Sequence, residues 1–475
     1  MIVGAFLALV ALVVGLGVLD WRKGVLLCIP VGFLQDAVRK VAPGQSVVWL
    51  TAVVGCIAAC YLGAVLRERR LGVTGLLSYY PRLQAPVLLF VAMVIVQAGV
   101  ALARTSSPVV AGIGLLFYLS PPFLLILGVR YSSDLAAWRR WGLAYLASVA
   151  VLAGSVGLQF AGFRHPLLRS IGVDVVFGVS GRIEMMAGLM RSSEIAAWHL
   201  AAAFCLCATG VVLVQRFWTR LVSASLAGAF LVALLLTGRR KMLGEIALFA
   251  ILFALLLIGH RRGFSRILRT AVILVPAGAL AGQLVIGSAG GGLTPYVQRG
   301  VSIVAESGQR LEQFVSVQAV ANVVSRNGFF GSGVGTASQG SQYFGGGARI
   351  VGGTAEGGFG KVLAELGVPG FLVLAWLAAS FGATLVSIGR GVRRLPDRLA
   401  IPTYGLMAFL SANGAVFLTA HQVFGDPFVL IVLGWLAGLL LAVPRVARAE
   451  GFVGARASSR VERPQTGSQP RPAVA

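Results

Sequence analysis

Apolar segments long enough to cross a lipid bilayer recur along almost the whole chain and restrict it to a membrane fold. A transmembrane helix needs about 17 to 25 predominantly apolar residues. Segments of this length lie at 1–19, 46–66, 85–103, 108–129, 142–162, 194–214, 221–237, 242–259, 270–289, 367–388, 399–418 and 427–443. A shorter run at 25–34 contains Pro30 and leaves open whether it crosses the bilayer or is re-entrant. The sequence therefore predicts an all-α, polytopic helical bundle with 12 or 13 transmembrane helices.

Composition agrees with a membrane protein. Of the 475 residues, 57% are hydrophobic and only 12% are charged, which lies outside the range of soluble globular domains. The first apolar run has no basic region before it and no small-residue cleavage site, so we expect a retained helix rather than a signal peptide. All cysteines lie inside apolar segments without CxxC spacing, which is typical of packing residues rather than of a metal or redox pair.

The basic residues predict an orientation. The chain has 40 Lys and Arg against 16 Asp and Glu, a balance that in a soluble protein would suggest nucleic acid. Here most basic residues flank apolar segments, so we expect contact with anionic membrane lipids and no nucleic-acid partner. If the helices alternate, the main arginine clusters share one side with a disordered basic tail at 446–475, and by the positive-inside rule that side is cytoplasmic. Residues 1–445 form one membrane domain.

Two longer loops are expected on the opposite, extracytoplasmic side, at about 163–193 and 290–366. The second is the longest polar interval of the chain. It contains Arg310, Glu356 and Lys361 between strongly apolar segments. A polar loop of this length inside a bundle is usually functional rather than a connector.

A short basic turn, TGRRK, lies on the same side as these loops. It places Arg239, Arg240 and Lys241 between two apolar helices. Basic residues in a short turn on the extracytoplasmic side violate the positive-inside rule, at an insertion cost of up to about 3 kcal/mol. An anionic ligand would justify that cost. The alternative is that one helix is misplaced in the predicted topology.

Arginine suits the recognition of a lipid diphosphate because its guanidinium binds phosphate through two parallel hydrogen bonds. The candidates are Arg239 and Arg240 in the turn, Arg182 and Arg191 in the first loop, and Arg310 in the second. Lys361 is a further candidate for substrate binding, with pairing to Glu365 at i, i+4 as its alternative. Arg164, Arg169, Arg299 and Arg349 are interpreted as residues that snorkel or contact lipid phosphate.

A general base for a sugar hydroxyl is expected near the second loop. Glu356 lies among glycines just before a helix, and partial desolvation at a membrane interface makes a carboxylate a better base. The alternative is an acid that complements the helix dipole. His165, and His421 near Asp426, remain open as bases. The segment GSGVGT lacks the spacing of a nucleotide loop, and its glycines are expected to permit close backbone approach.

Three blocks of sequence resemble the superfamily of bacterial O-antigen ligases and polymerases. The segment GRIEMMAGLMRSSEIAAWHLA is similar to the family segment in which an Arg and a glycine precede a small-residue helix, and TGRRKMLGEIALF is similar to the T-G-S-R-G turn that opens a helix. The third block combines a helix carrying Arg310, a glycine turn at Gly331, Gly333 and Gly335, and an acidic helix with Glu365, Gly367 and Gly370.

The resemblance implies an inverting glycan transfer from an undecaprenyl-diphosphate-linked donor to a glycan or lipid acceptor, without a metal ion or other cofactor. It places the active face on the extracytoplasmic side of the bacterial plasma membrane, as in the biosynthesis of O-antigen or exopolysaccharide. Family arginines that hold the diphosphate correspond to Arg240 and Arg310. A family histidine is replaced here by Glu356, so Glu356 is the base, or the reaction is polymerisation rather than ligation, or the chain is inactive.

Two other classes of function compete with this interpretation. A flippase or transporter of lipid-linked sugar would bind the same head group without breaking a bond, and it predicts charged residues deep within helices, for which Glu245 is the main candidate. A membrane assembly or scaffold protein predicts no dependence on the extracytoplasmic arginines.

Overall fold

The computed structural model describes most of the chain, and most of the described part is helical. The described residues are 1–68, 73–171, 175–178, 181–260, 294–301, 317–338, 357–419 and 422–452. The helices are α1 (Ile2–Leu19), α2 (Trp21–Val41), α3 (Ala52–Glu68), α4 (Val73–Tyr79), α5 (Pro81–Thr105), α6 (Pro108–Tyr131), α7 (Leu135–Phe160), α8 (Ser193–Leu213), α9 (Phe217–Leu236), α10 (Arg240–Ile258), α11 (Thr294–Val301), α12 (Val317–Asn327), α13 (Gly358–Val392), α14 (Asp397–Thr419), α15 (Pro427–Leu441) and α16 (Val443–Ala449).

Ten of the described helices are long and apolar enough to cross a membrane, namely α1, α3, α5 to α10, α13 and α14. The pair α15 and α16, bent by 51°, brings the number to eleven if it counts as one span. The prediction of an all-α, polytopic helical bundle is therefore confirmed. The predicted run at 270–289 lies outside the described residues.

The short segment predicted at 25–34 is part of the longer helix α2. The helix begins after Asp20, whose carboxylate accepts a hydrogen bond from the backbone N–H of Lys23 at 3.3 Å. It continues through Pro30 and has 21 residues, which at about 1.5 Å per residue is enough to cross a bilayer. Its polar residues Asp36 and Lys40 are buried inside the bundle. The helix α2 is thus an interior helix with polar contacts rather than a lipid-facing span.

Contacts between loops and helix termini define two ends of the bundle. At the arginine-rich end, Glu68 pairs with Arg22 at 3.8 Å and with Arg130 at 3.6 Å. At the same end, His260 Nε2 lies 3.0 Å from Asp397 Oδ1. The contacts of Glu68 join the end of α3 to the start of α2 and the end of α6, and the contact of His260 joins the end of α10 to the start of α14, as the alternating arrangement of helices requires.

The opposite end carries the described parts of the two long loops, and we call it the loop end. Lys40 Nζ donates to the backbone carbonyls of Leu167 at 3.0 Å and Gly188 at 2.7 Å, so the end of α2 holds the first loop. The backbone N–H of Met186 donates to the carbonyl of Leu236 at 3.2 Å, which places the end of α9 beside that loop. The turn between α9 and α10 therefore belongs to the loop end.

The boundaries of the predicted loops differ from those in the structure. The first loop contains an antiparallel hairpin of β1 (Val175–Gly178) and β2 (Gly181–Glu184) in which Val175 pairs with Glu184. The second loop ends at residue 357, because α13 begins at Gly358 and continues across a break at Gly367. Past the predicted start of the tail, α16 continues to Ala449, and its Val446 and Ala447 are buried.

Small residues let the central helices pack closely. A Cβ atom placed on Gly438 of α15 would lie 2.4 Å from the carbonyl oxygen of Leu125, and one on Gly434 would lie 2.6 Å from that of Pro121. Both carbonyls belong to α6. Close approach through small residues is a common way for membrane helices to gain packing contacts. All five cysteines are likewise buried and free of disulfide bonds, in agreement with their predicted packing role.

Candidate functional site

The basic turn predicted from TGRRK is ordered by local hydrogen bonds. The helix α9 ends at Leu236, and Gly238 reverses the chain with a φ of +66°, a conformation that favours glycine. The hydroxyl of Thr237 accepts a hydrogen bond from the backbone N–H of Arg239 at 3.3 Å. Arg240 is the first residue of α10. The turn therefore presents its guanidinium groups beside a helix N-terminus, where the helix dipole also favours an anion.

The side chains of the turn are fixed by the neighbouring helices α8 and α11. Arg239 Nε donates to the hydroxyl of Ser193 at 2.9 Å, and Lys241 Nζ lies 3.9 Å from a carboxylate oxygen of Glu194. From the other side, Arg299 Nε donates to the carbonyl of Gly238 at 2.9 Å. We call Arg239, Arg240, Lys241 and Arg299 the basic patch. It brings three consecutive cations of the turn together with one cation that is distant in sequence.

The helix α11 is held over this turn by a tyrosine. The hydroxyl of Tyr296 donates to the backbone carbonyl of Glu184 at the end of β2. Burial, together with the charge of Glu184, raises the pKa of Tyr296 to about 12, so this hydroxyl keeps its proton at neutral pH. Arg299 is therefore positioned over the turn by α11, and the expectation that it snorkels or contacts lipid phosphate stays a prediction.

Arg191 lies in a buried ion-pair triad with two carboxylates. Its guanidinium Nη1 lies 3.2 Å from Asp36 Oδ1 and also bonds to Asp426 Oδ2, while its backbone N–H donates to Asp36 at 3.1 Å. Both carboxylate side chains are only 2% exposed. Burial alone would lower the pKa of Arg191, but the charges of Asp426 and Asp36 outweigh burial and raise it above its usual value. These contacts give Arg191 a structural task besides the predicted role in donor binding, which stays a prediction.

The glycine turn, residues Gly331 to Gly335, packs between α13 and the helices α5 and α6. Gly331, Gly333 and Gly335 all have a positive φ. The backbone N–H groups of Ser332 and Gly333 donate to the carbonyls of Ala364 and Glu365 at 2.7 and 3.0 Å. The glycine turn thus binds the backbone of α13 just before its break at Gly367, in agreement with the predicted close backbone approach.

Lys361 and Glu365 both form a hydrogen bond with the hydroxyl of Ser338, which follows the glycine turn in the chain. Lys361 Nζ donates to the hydroxyl of Ser338 at 3.2 Å, and Glu365 Oε1 accepts from the same hydroxyl at 3.2 Å and from the backbone N–H of Ala337 at 2.9 Å. Lys361 also lies over the ring of Phe117 at 4.9 Å. Both charged side chains are buried. The shared hydroxyl therefore links the two charges, and Lys361 lies in a set of contacts separate from the basic patch.

The remaining predicted site residues differ in how far they are described. Arg310, Glu356 and His421 lie outside the described residues. Arg182 lies in β2, where its backbone is opposite Phe177. His165 is exposed, and its ring accepts a hydrogen bond from the backbone N–H of Leu167 at 3.2 Å, which caps a short turn.

A second polar site lies in the interior of the bundle, between α8, α10 and α14. Glu245 is fully buried, and one of its carboxylate oxygens accepts from the side-chain amide of Asn413 at 2.8 Å. The oxygen of that amide accepts from the indole N–H of Trp198 at 2.7 Å. Within the described residues, Glu245 Oε2 has no hydrogen-bond partner. Buried carboxylates at this depth are usually functional or paired.

No protein-family model matches this chain, and no curated protein matches it.

Proposed function

We propose that the chain is a multi-pass membrane glycosyltransferase of the polymerase or ligase type, acting on an undecaprenyl-diphosphate-linked glycan at the extracytoplasmic face of the bacterial plasma membrane. The observation that carries the proposal is the basic patch at the loop end. It lies opposite the arginine-rich end, where charge bias alone would concentrate cations. A diphosphate head group at the membrane surface is the kind of ligand that four such cations suit.

In the proposed reaction, the acceptor hydroxyl attacks the anomeric carbon of the donor from the side opposite the diphosphate. The new glycosidic C–O bond forms as the bond between that carbon and the diphosphate oxygen breaks, with inversion at the carbon. The electron pair leaves with the diphosphate, whose charge Arg240 and Arg310 neutralise. Glu356 takes the hydroxyl proton. Arg239 and Arg182 position the donor, while Arg191 and Lys361 contribute through the buried contacts that hold the loops.

We expect Arg240→Gln to reduce kcat/KM for release of the carrier diphosphate by about tenfold to 100-fold, because a hydrogen bond to a charged group contributes about 1.5–3 kcal/mol. The measurement is turnover of an undecaprenyl-diphosphate oligosaccharide by the purified protein with EDTA present. The matched control is Arg169→Gln, an exposed arginine of the same end. Arg310→Ala and Glu356→Gln are expected to abolish turnover.

The proposal fails if the wild-type protein binds the donor without cleaving it. The assignment of donor binding to the basic patch fails if the Arg240→Gln variant cleaves the donor as fast as the Arg169→Gln variant does. Folding of each variant is checked by its elution as a single species and by its unfolding midpoint, so that a loss of turnover is separated from a loss of structure.

The buried carboxylate of Glu245 favours a second candidate function, the movement of lipid-linked sugar across the membrane without glycosyl transfer. Under the glycosyltransferase proposal, we expect Glu245→Gln to leave donor turnover unchanged, since glutamine has nearly the same shape as glutamate and keeps an acceptor oxygen for Asn413. The measurement pairs turnover with transbilayer movement of the lipid-linked donor in proteoliposomes. Movement by the wild-type protein that is lost in Glu245→Gln would support the transporter instead.

A further inference from the structure

A cavity of about 370 Å³ opens at the arginine-rich end of the bundle, far in the fold from the basic patch. It lies between α4, the end of α6 and the junction of α15 with α16. The polar residues of its lining are Arg130, Arg445 and Arg448 together with Tyr79 and Tyr80. This size is within the range of small-ligand sites.

The rest of the cavity wall is apolar. It is formed by Leu76 of α4, Ile126 and Val129 of α6, and Leu441 at the end of α15. Because Leu441 is the last residue of its helix and Val129 is near the end of α6, this wall lies where the apolar spans end. A ligand here would contact both apolar side chains and arginines.

Arginine side chains meet here because several helix ends converge. Arg445 Nη1 donates to the carbonyl of Val129 at 3.4 Å, which ties α16 to α6. Arg448 Nε donates to the carbonyl of Pro444 at 3.4 Å, and its guanidinium lies over the ring of Tyr79 at 5.6 Å. Within the described residues, Arg445 and Arg448 form no ion pair with a carboxylate.

The framework of the cavity is fixed without a ligand. The hydroxyl of Tyr80 donates to the carbonyl of Leu441 at 2.7 Å, so α5 is joined to the bend between α15 and α16. Arg130 is held by Glu68 at 3.6 Å, and Glu68 is shared with Arg22. The cavity is therefore preorganised, and it is lined by two exposed arginines, Arg445 and Arg448, and by a third, Arg130, whose charge Glu68 partly neutralises.

We propose that this cavity binds the phosphate group of an anionic phospholipid, with Arg445 and Arg448 holding the phosphate and the acyl chain lying along Leu76, Ile126 and Leu441. Guanidinium groups remain charged at the interface and bind phosphate oxygens through paired hydrogen bonds. The apolar wall favours a lipid over a soluble anion with the same phosphate chemistry. The bound lipid joins α4 and α6 to α16 and so stabilises the 51° bend after α15.

The test measures lipid-dependent stabilisation of the purified, delipidated chain in detergent. We expect phosphatidylglycerol to raise the unfolding midpoint, and we expect neither phosphatidylcholine nor inorganic phosphate to do so. In the double variant Arg445→Gln/Arg448→Gln, the apparent affinity for phosphatidylglycerol should fall about tenfold or more. The matched control is Arg390→Gln/Arg394→Gln, which removes two exposed arginines from the same end of the bundle.

A second variant keeps the proposal testable if the double variant fails to fold. Ile126→Trp fills the apolar part of the cavity and leaves all arginines in place, and it should also lose phosphatidylglycerol binding. The proposal is overturned if the control pair loses as much affinity as the cavity pair, or if Arg445→Gln/Arg448→Gln or Ile126→Trp binds as the wild type does. A shift of equal size with inorganic phosphate would identify a soluble-anion site and reject the lipid. An equal shift with phosphatidylcholine would reject the requirement for an anionic head group.

Discussion

Gly335→Ala is expected to detach the glycine turn from the bundle. The φ of Gly335 is +85°, and a Cβ atom there would lie 2.1 Å from the carbonyl oxygen of Val110. That oxygen belongs to the backbone of α6 and cannot rotate away as a side chain can. We expect a cost of about 1 kcal/mol from the backbone conformation and about 1–3 kcal/mol more from the clash.

The detached turn should be visible in the segment 328–338 as faster hydrogen exchange and earlier proteolysis. Because Ala337 and Ser338 hold the Glu365 carboxylate, the same change should reduce any activity that depends on α13. The matched control is Gly328→Ala. Its φ is +82°, almost the same as that of Gly335, but a Cβ atom there meets nothing within 4 Å. Equal effects of the two substitutions would mean that packing against α6 does not hold the turn.

The sequence predicted the lipid-facing part of the fold because hydropathy is a local property. Each long apolar run described by the structure became a helix, and alternation of the helices was enough to group their ends. The helix α2 was predicted less well for a physical reason. Its Asp36 is tolerated in the interior through Arg191, which is 155 positions away, and no local pattern reports a partner at that distance.

The candidate site was predictable in part for a similar reason. Arg239, Arg240 and Lys241 were identified because a short basic turn between apolar helices violates a charge rule. Arg299 was not, since its contact with Gly238 depends on how α11 folds back over the turn. The hairpin at 175–184 was missed although its signal was present: a Val-Phe run, a glycine-containing turn and a second short strand.

Arg191→Met is expected to destabilise the protein by about 3–5 kcal/mol, because it leaves the buried carboxylates of Asp36 and Asp426 without their cation. The measurement is the free energy of unfolding, or the unfolding midpoint where unfolding is irreversible. Arg169→Met is the matched control, since Arg169 is an exposed arginine of the same loop and should cost little. A loss in Arg191→Met no larger than in Arg169→Met would contradict the role of the triad.

Substituting all three residues of the triad separates the effect of charge on stability from the effect of packing. In Asp36→Asn/Arg191→Met/Asp426→Asn, none of the three charges of the triad remains, and asparagine can still cap α15 as Asp426 does at Val429. We expect this variant to recover most of the stability that Arg191→Met loses. If it is instead as unstable as Arg191→Met, the loss of stability comes from altered packing rather than from unbalanced charge.

The pH dependence of the triad gives a second check on the same assignment. The charges of Asp426 and Asp36 raise the pKa of Arg191 in the folded protein, so its contribution to stability is fully present below the usual arginine pKa and is lost only as the pH rises through the higher, folded value. Arg191 itself should therefore add no pH dependence between about pH 5 and 9. Turnover distinguishes a donor-binding role of Arg191 from a purely structural one. If Arg191 binds the donor, Arg191→Met protein that remains folded should have lost activity. If Arg191 only holds α2, α15 and the first loop together, the variant should lose stability first and activity only as the protein unfolds.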